Sequence, residues 1–231
     1  MDKYAEKLKK FEGKGLFSGI KGEEFVSLLH CLSVETKEYD RGENLIVQGQ
    51  QVLSAGLVVE GMVCAVKTDY EGRESVWALV GEGGLFGEIL MSAGGFKSPV
   101  SVVATTSCDI CYISLRKIVS GCNTNCASHE QLRLNFLEII AKKFWEQNRR
   151  LTYLSIKSLR MKLLAYFSDR VSDSSGSLSF AVPFNREQMA AYLGAERSAL
   201  CRELSRMKRE GLIFYQKNQF SVLEPELFRR I

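Results

Sequence analysis

The run Glu196-Arg-Ser-Ala-Leu-Cys-Arg-Glu-Leu-Ser-Arg-Met207 sorts its side chains by the helical period. Steps of four and three bring Leu200, Leu204 and Met207 to one face. Arg197, Ser198, Cys201, Arg202 and Ser205 fall on the other, and Glu196 opens the segment. Guanidinium and hydroxyl groups on a helix whose apolar side is committed to packing can donate to phosphates and to base edges. An amphipathic helix of this kind is common in proteins that bind no nucleic acid, so its neighbours in sequence must decide.

Upstream, Asn185 is placed to cap a short helix that carries Met189 and Leu193 inward, with Ala190 small where a second helix crosses. Gly194 and Ala195 supply the turn, and GLIFYQKNQFSVLE then reads as a β-hairpin turning at Lys217-Asn218. Together these predict a winged helix-turn-helix. The charge agrees: residues 157–231 hold 13 Lys/Arg against 8 Asp/Glu, a net of +5 in a chain of net +4, which leaves −1 for the rest. A basic third joined to a near-neutral remainder suits a polyanion-binding module.

A second set of chemistry-bearing residues is Cys122-x-x-x-Cys126-x-x-His129, with Cys126 and His129 one helical turn apart. Two readings stand: small apolar residues with a helix-start histidine, or a metal, haem or redox site. Cys108 and Cys111 lie on a predicted strand, where an offset of three sends them to opposite faces, so they should not share a metal. Seven cysteines without a compact framework predict reduced thiols rather than a disulfide scaffold. Cys201 reads either as an ordinary exposed thiol or as one that would make nucleic-acid binding by this helix oxidation-sensitive. Two histidines, no P-loop and no nucleophile elbow argue against an enzyme, and GEGGLFGE is a glycine-rich turn rather than a dinucleotide fingerprint.

The elements that must position these residues change character along the chain. From about Val34 to Leu115, short β-rich runs are punctuated by glycines every eight to twelve residues, the pattern of a small antiparallel barrel or sandwich. After a loop at Gly121–Asn125, about thirty residues run without Gly or Pro. Leu134, Leu137, Ala141, Phe144, Asn148 and Leu151 recur there in alternating steps of three and four, the seam of a paired helix with a polar contact to fix its register. Leu132, Phe136, Ile139 and Ile140 widen the apolar face enough to pack on the β domain too. Ser172–Ser177 is a loop by composition. No apolar run is long enough to cross a bilayer and the first residues are too charged for a signal peptide, so a cytoplasmic protein without membrane contact is expected.

With these elements in place, the chain resembles the family of the cyclic-AMP receptor protein and FNR, the Crp/Fnr transcription regulators. The likeness spans about residues 17–222 and rests on the glycine-spaced β region with LFGEILMS (85–92), on Arg160, and on ERSALCRELSRMKREGLI. It implies an α+β fold: a β-roll of jelly-roll type (residues 1–127), a dimerisation helix (128–156) and a winged helix-turn-helix (157–231). It implies a homodimer that reads two-fold symmetric promoter DNA and works with RNA polymerase. Arg197, Ser198 and Arg202 match the family's positions for base and backbone contact. Position 198 is acidic in the best-known members, and a serine cannot offer a carboxylate to a cytosine amine, which leaves the half-site open.

The resemblance also supplies a cavity and departs from it. Gly87 and Glu88 match the pair that follows the roll turn in nucleotide-binding members, but the Arg-Ser pair that meets the cyclic phosphate falls on Ser98 and Pro99. Lys97 is one residue away and so on the other strand face. The hydroxyl pair that reaches the adenine falls on Trp145 and Glu146. Cyclic AMP is therefore disfavoured, and another small molecule in the same cavity is the expectation. No cysteine cluster precedes Cys31, so no iron–sulfur cluster of the FNR kind is expected. Two alternatives stay open: a metal, haem or redox sensor at Cys122, Cys126 and His129, and a small-molecule sensor whose winged domain docks protein.

Overall fold

The computed structural model describes residues 3–88, 97–120 and 126–228 and divides the chain into two compact units, Met1–Lys143 and Phe144–Ile231. The expected loop at Gly121–Asn125 and the end of LFGEILMS lie outside the described residues.

The first unit opens with helices α1 (Lys3–Leu8) and α2 (Gly22–Leu32), on which the sequence reading was silent. The β region then forms strands β1 (Glu35–Tyr39), β2 (Asn44–Ile46), β3 (Ala55–Glu60), β4 (Met62–Thr68), β5 (Glu74–Gly81), β6 (Leu85–Phe86), β7 (Ser101–Ala104) and β8 (Cys108–Ile113). They make two antiparallel four-stranded sheets, ordered β1-β8-β3-β6 and β2-β7-β4-β5. Strand β3 shows why its sequence is apolar throughout. Val58 enters one core with Val63, Phe86, Val102 and Ile110, while Leu57 and Val59 enter another with Leu28, Leu32, Leu132 and Phe136. A strand covered on both faces loses the usual in-out alternation.

Cys108 and Cys111 on β8 divide the same way, one in each core, which realises the opposite-face expectation. The Cys108 thiol donates to Met62 O, and burial pushes the Cys111 thiol up to about 12. After α3 (Leu115–Ser120), the long helix α4 runs from Ala127 to Ser155. Leu132 and Phe136 seat its start in the first unit, each burial contributing roughly 1.5–3 kcal/mol relative to exposure.

The second unit takes the rest of α4, then α5 (Leu159–Asp173), β9 (Ser179–Ala181), α6 (Arg186–Tyr192), α7 (Arg197–Arg209), β10 (Ile213–Gln216), β11 (Gln219–Val222) and α8 (Pro225–Phe228). Its sheet has the order β10-β11-β9. One core joins Tyr153, Leu163, Phe167, Met189, Leu193, Leu200, Leu204, Met207 and Phe220. Arg149 holds Asp173 through a bidentate pair at 2.9–3.1 Å, and the Tyr153 hydroxyl donates to Asp169, so the last turns of α4 are tied to α5. Among the described residues, no helix is long and apolar enough to cross a membrane.

Candidate nucleic-acid interface and sensor cavity

On α7 the division read from the sequence is complete. Leu200, Leu204 and Met207 are fully buried, while Arg197, Ser198, Arg202 and Ser205 are exposed and Cys201 is half-buried. Glu196 is the exposed N-cap residue, one position before the helix, and its carboxylate makes no capping hydrogen bond. The first-turn amides are thus left without a side-chain acceptor, the arrangement in which a helix start takes a phosphate. A shallow groove along this face is lined by Cys201, Arg202, Ser205, Arg206 and Arg209. Arg206 and Arg209 were not singled out from the sequence. Their steps of four and three from Arg202 were the available signal.

The scaffold beneath α7 is built from short-range rules. Asn185 accepts from Gln188 N while the Gln188 side chain accepts from Asn185 N, a full capping box that starts α6. At the other end of α6, the buried Lys162 ammonium donates to Leu193 O at 2.8 Å. Gly194 then turns the chain with φ +61°, and a Cβ there would stand 2.7 Å from Leu154 Cδ2. Arg160, at the head of α5, reaches Glu203 at 2.8 Å and also Glu210, so one guanidinium fixes α7 and its C-cap. The wing turns at Lys217, whose carbonyl accepts from Arg186, while the Arg186 guanidinium lies over Tyr215 and Phe220.

The sensor candidates are only partly brought together. Gly87 and Glu88 follow β6, and the Glu88 side chain is 4% exposed. Its Oε1 accepts from Lys143 Nζ at 2.6 Å, while Oε2 has no partner. Lys143 also donates to Leu85 O. This lysine was not anticipated, because a cation in a charged helix reads as solvated. Ser98 is buried, but its hydroxyl donates to Val100 O, and Lys97 is exposed; both precede strand β7, so the strand expected to put them on opposite faces does not extend to these positions. Trp145 and Glu146 fall in the second unit and are exposed, Trp145 at 64%. Of the third set, Cys122 lies outside the described residues, whereas Cys126 Sγ and His129 Nδ1 are 3.1 Å apart. Among the described residues, no three His, Cys, Asp or Glu side chains gather as metal ligands.

Residues 36–125 match the cyclic nucleotide-binding domain family, and residues 159–231 match the Crp-like helix-turn-helix domain. The chain belongs to the Crp/Fnr family. A protein of Thermus thermophilus named cyclic AMP receptor protein is 27% identical over 228 residues, covering 95% of this chain and 97% of that one. The transcriptional activator protein FnrL of Cereibacter sphaeroides is 26% identical over 186 residues, 77% of this chain and 71% of its own. A solved structure of a CooA mutant from Carboxydothermus hydrogenoformans superposes with a TM-score of 0.71 at 16% identity, over 90% of this chain and 91% of that one, a likeness of fold.

This Crp/Fnr member therefore has the helix-turn-helix of a DNA-binding transcription regulator, with α6 and α7 as its helix pair. The residues that define the reader are all in the described structure. Those that would define the signal are divided among the roll, the long helix and segments outside it.

Proposed function

We propose that the chain is a homodimeric, signal-gated transcription regulator that inserts α7 into the major groove at each half of a two-fold symmetric promoter site. The single observation that carries this reading is the partition of α7. Three fully buried apolar residues fix the helix, and Arg197, Ser198, Arg202, Ser205, Arg206 and Arg209 are exposed opposite them. Arg202 is assigned a base contact, Arg206 and Arg209 backbone phosphates, and Ser198 a tolerant contact at the position that is acidic in the best-known relatives.

Homodimer formation is supported by the unsatisfied seam of α4. Leu134, Leu137, Phe144 and Leu151 are 55%, 62%, 68% and 63% exposed, and Ala141 is exposed, with half-buried Asn148 on the same stripe. Four large apolar side chains at helical spacing are costly to leave in water, and a second copy would cover them. RNA polymerase is the further partner this reading implies.

The effector is assigned as a small molecule other than cyclic AMP. Glu88 is already answered by Lys143, the Ser98 hydroxyl is engaged by Val100 O, and no arginine stands at position 98 or 99 to meet a cyclic phosphate. That the Thermus relative is named a cyclic AMP receptor protein is the consideration on the other side.

Sites selected by the purified protein from random duplexes, followed by titration across salt concentrations, test the reading. A pseudo-palindrome with half-sites about one DNA turn apart is expected, with affinity falling steeply as salt rises. Sedimentation of the same protein should give a dimer, and Leu137→Glu should reduce it to monomer and abolish selection. Absence of salt-dependent DNA binding would instead favour a winged domain that docks protein.

A further inference from the structure

The thiol–imidazole contact at the start of α4 is unused by DNA binding. Cys126 is half-buried, and its carbonyl accepts from His129 N at 3.1 Å and Glu130 N at 3.4 Å, so it is the capping residue of a 29-residue helix. Its Sγ lies 3.1 Å from Nδ1 of His129. The imidazole is 2% exposed, and its other nitrogen, Nε2, has no hydrogen-bond partner. A buried N–H without an acceptor costs about 1–3 kcal/mol, more than an idle lone pair. The ring proton is therefore assigned to Nδ1, where the sulfur receives it. The sulfur thus faces an N–H donor at the first turn of a long helix, where the free backbone amides also point.

We propose that Cys126 is a peroxide-reactive thiol, with His129 as the group that relays the proton its oxidation requires. The thiolate sulfur attacks the terminal oxygen of a hydroperoxide ROOH. The S–O bond forms as the O–O bond breaks; sulfur gives up two electrons and the peroxide bond takes them. The departing alkoxide takes the Nδ1 proton and leaves as ROH, and the new S–OH returns its proton to Nδ1, which leaves a sulfenate beside an unchanged imidazole. A hydroperoxide is favoured over bulkier electrophiles on two grounds. The sulfur is half-buried, which admits a small oxidant, and a peroxide needs a proton on its leaving oxygen, which an alkylating agent does not.

The other cysteines serve as internal standards. Cys108 donates to Met62 O and Thr106 O, and Cys64 and Cys111 are buried with thiols pushed up by desolvation. Cys31 is exposed, and Cys201 is half-buried on the reading helix.

The test exposes the reduced full-length protein to hydrogen peroxide in the presence of dimedone, with the rate of sulfenic acid trapping at each cysteine read by peptide mass spectrometry. Cys126 should label at least about ten-fold faster than Cys31 or Cys201. Fragment ions separate Cys122, which shares its tryptic peptide. His129→Gln should bring the Cys126 rate down to that of Cys31 with circular dichroism unchanged. Labelling of Cys126 no faster than Cys31, or labelling carried by Cys122, would overturn the proposal. A folded His129→Gln protein that keeps the fast rate would overturn the role of the imidazole. Should that variant fail to fold, the comparison among cysteines within the unaltered protein still decides.

Discussion

Lys143→Met isolates the contact with Glu88. The thioether retains most of the stem and removes the ammonium. Glu88 then keeps a carboxylate that is 4% exposed, with Oε2 already unpartnered and Oε1 deprived of its 2.6 Å contact. Removing one member of a fully buried pair costs about 3–5 kcal/mol, whereas an exposed pair contributes about 0–1. The Lys143 side chain is 29% exposed, so water screens one partner and the expected loss is about 2 kcal/mol. With a urea m-value near 2 kcal/mol per molar, the unfolding midpoint should fall by about 1 M. The chain has two tryptophans, Trp77 on β5 and Trp145 on α4, so fluorescence in a Trp145→Phe background reports on the roll alone. Adding Glu88→Gln to Lys143→Met should recover about half of the loss, because a buried neutral amide costs less than an unanswered carboxylate. A midpoint unmoved to within about 0.2 M would mean that Lys143 contributes no more than a surface charge.

Three further outcomes are expected. Arg202→Ala should cost about 1–3 kcal/mol in binding to the selected duplex and flatten discrimination at one base pair, measured by fluorescence anisotropy; equal weakening on every sequence would reassign Arg202 to phosphate. Gly194→Ala should destabilise the second unit by about 1–3 kcal/mol in a thermal melt, since φ is +61° and the methyl would stand 2.7 Å from Leu154 Cδ2; an unchanged melt would show that the turn relaxes freely. Cys111 gives a pH dependence. Its thiol is raised from 9.0 to about 12 by burial, so its contribution is whole below pH 9 and falls by about 1.4 kcal/mol per unit as the unfolded chain ionises, up to about pH 12. Between pH 8 and 10.5, urea titrations should show the unaltered protein losing about 2 kcal/mol more than Cys111→Ala. Equal losses would remove Cys111 from the account.

What could be read in advance follows from the range of the forces involved. The reader is encoded locally: Asn185 and Gln188 are three residues apart, Gly194 needs only its own φ, and Leu200, Leu204 and Met207 share a helix face by arithmetic. The two-sheet roll was legible through its glycine spacing, and β8 through the opposite faces of Cys108 and Cys111. Lys143 was not legible, because its partner Glu88 is 55 residues away and no periodicity connects a helix cation to a strand end. Helix α2 passed unread although Phe25, Leu28, Leu29 and Leu32 carry a helical period, since the glycine-rich stretch before it and the β-rich stretch after it drew the reading. Arg206 and Arg209 were missed for a different reason: the family likeness named three positions, and the groove geometry extends the same face by two turns.

The long helix places a physical condition on any signal. Within α4, Leu132, Phe136 and Lys143 bind the first unit, and Arg149 and Tyr153 bind the second. Lys143 and Arg149 are only six positions apart, less than two helical turns. The seam residues Phe144 and Asn148 lie within that interval. An effector that bound the roll equally well with Lys143 on or off Glu88 would leave the helix unaffected, whatever its affinity. One that draws Lys143 away, or answers the vacant Glu88 Oε2 with a donor of its own, binds the two states differently and so couples to the helix by that difference. With coupling free energies ordinarily about 1–3 kcal/mol, the roughly 2 kcal/mol assigned to the Lys143–Glu88 contact is of the size a switch needs, and Lys143→Met should therefore blunt the response to an effector as well as lower stability.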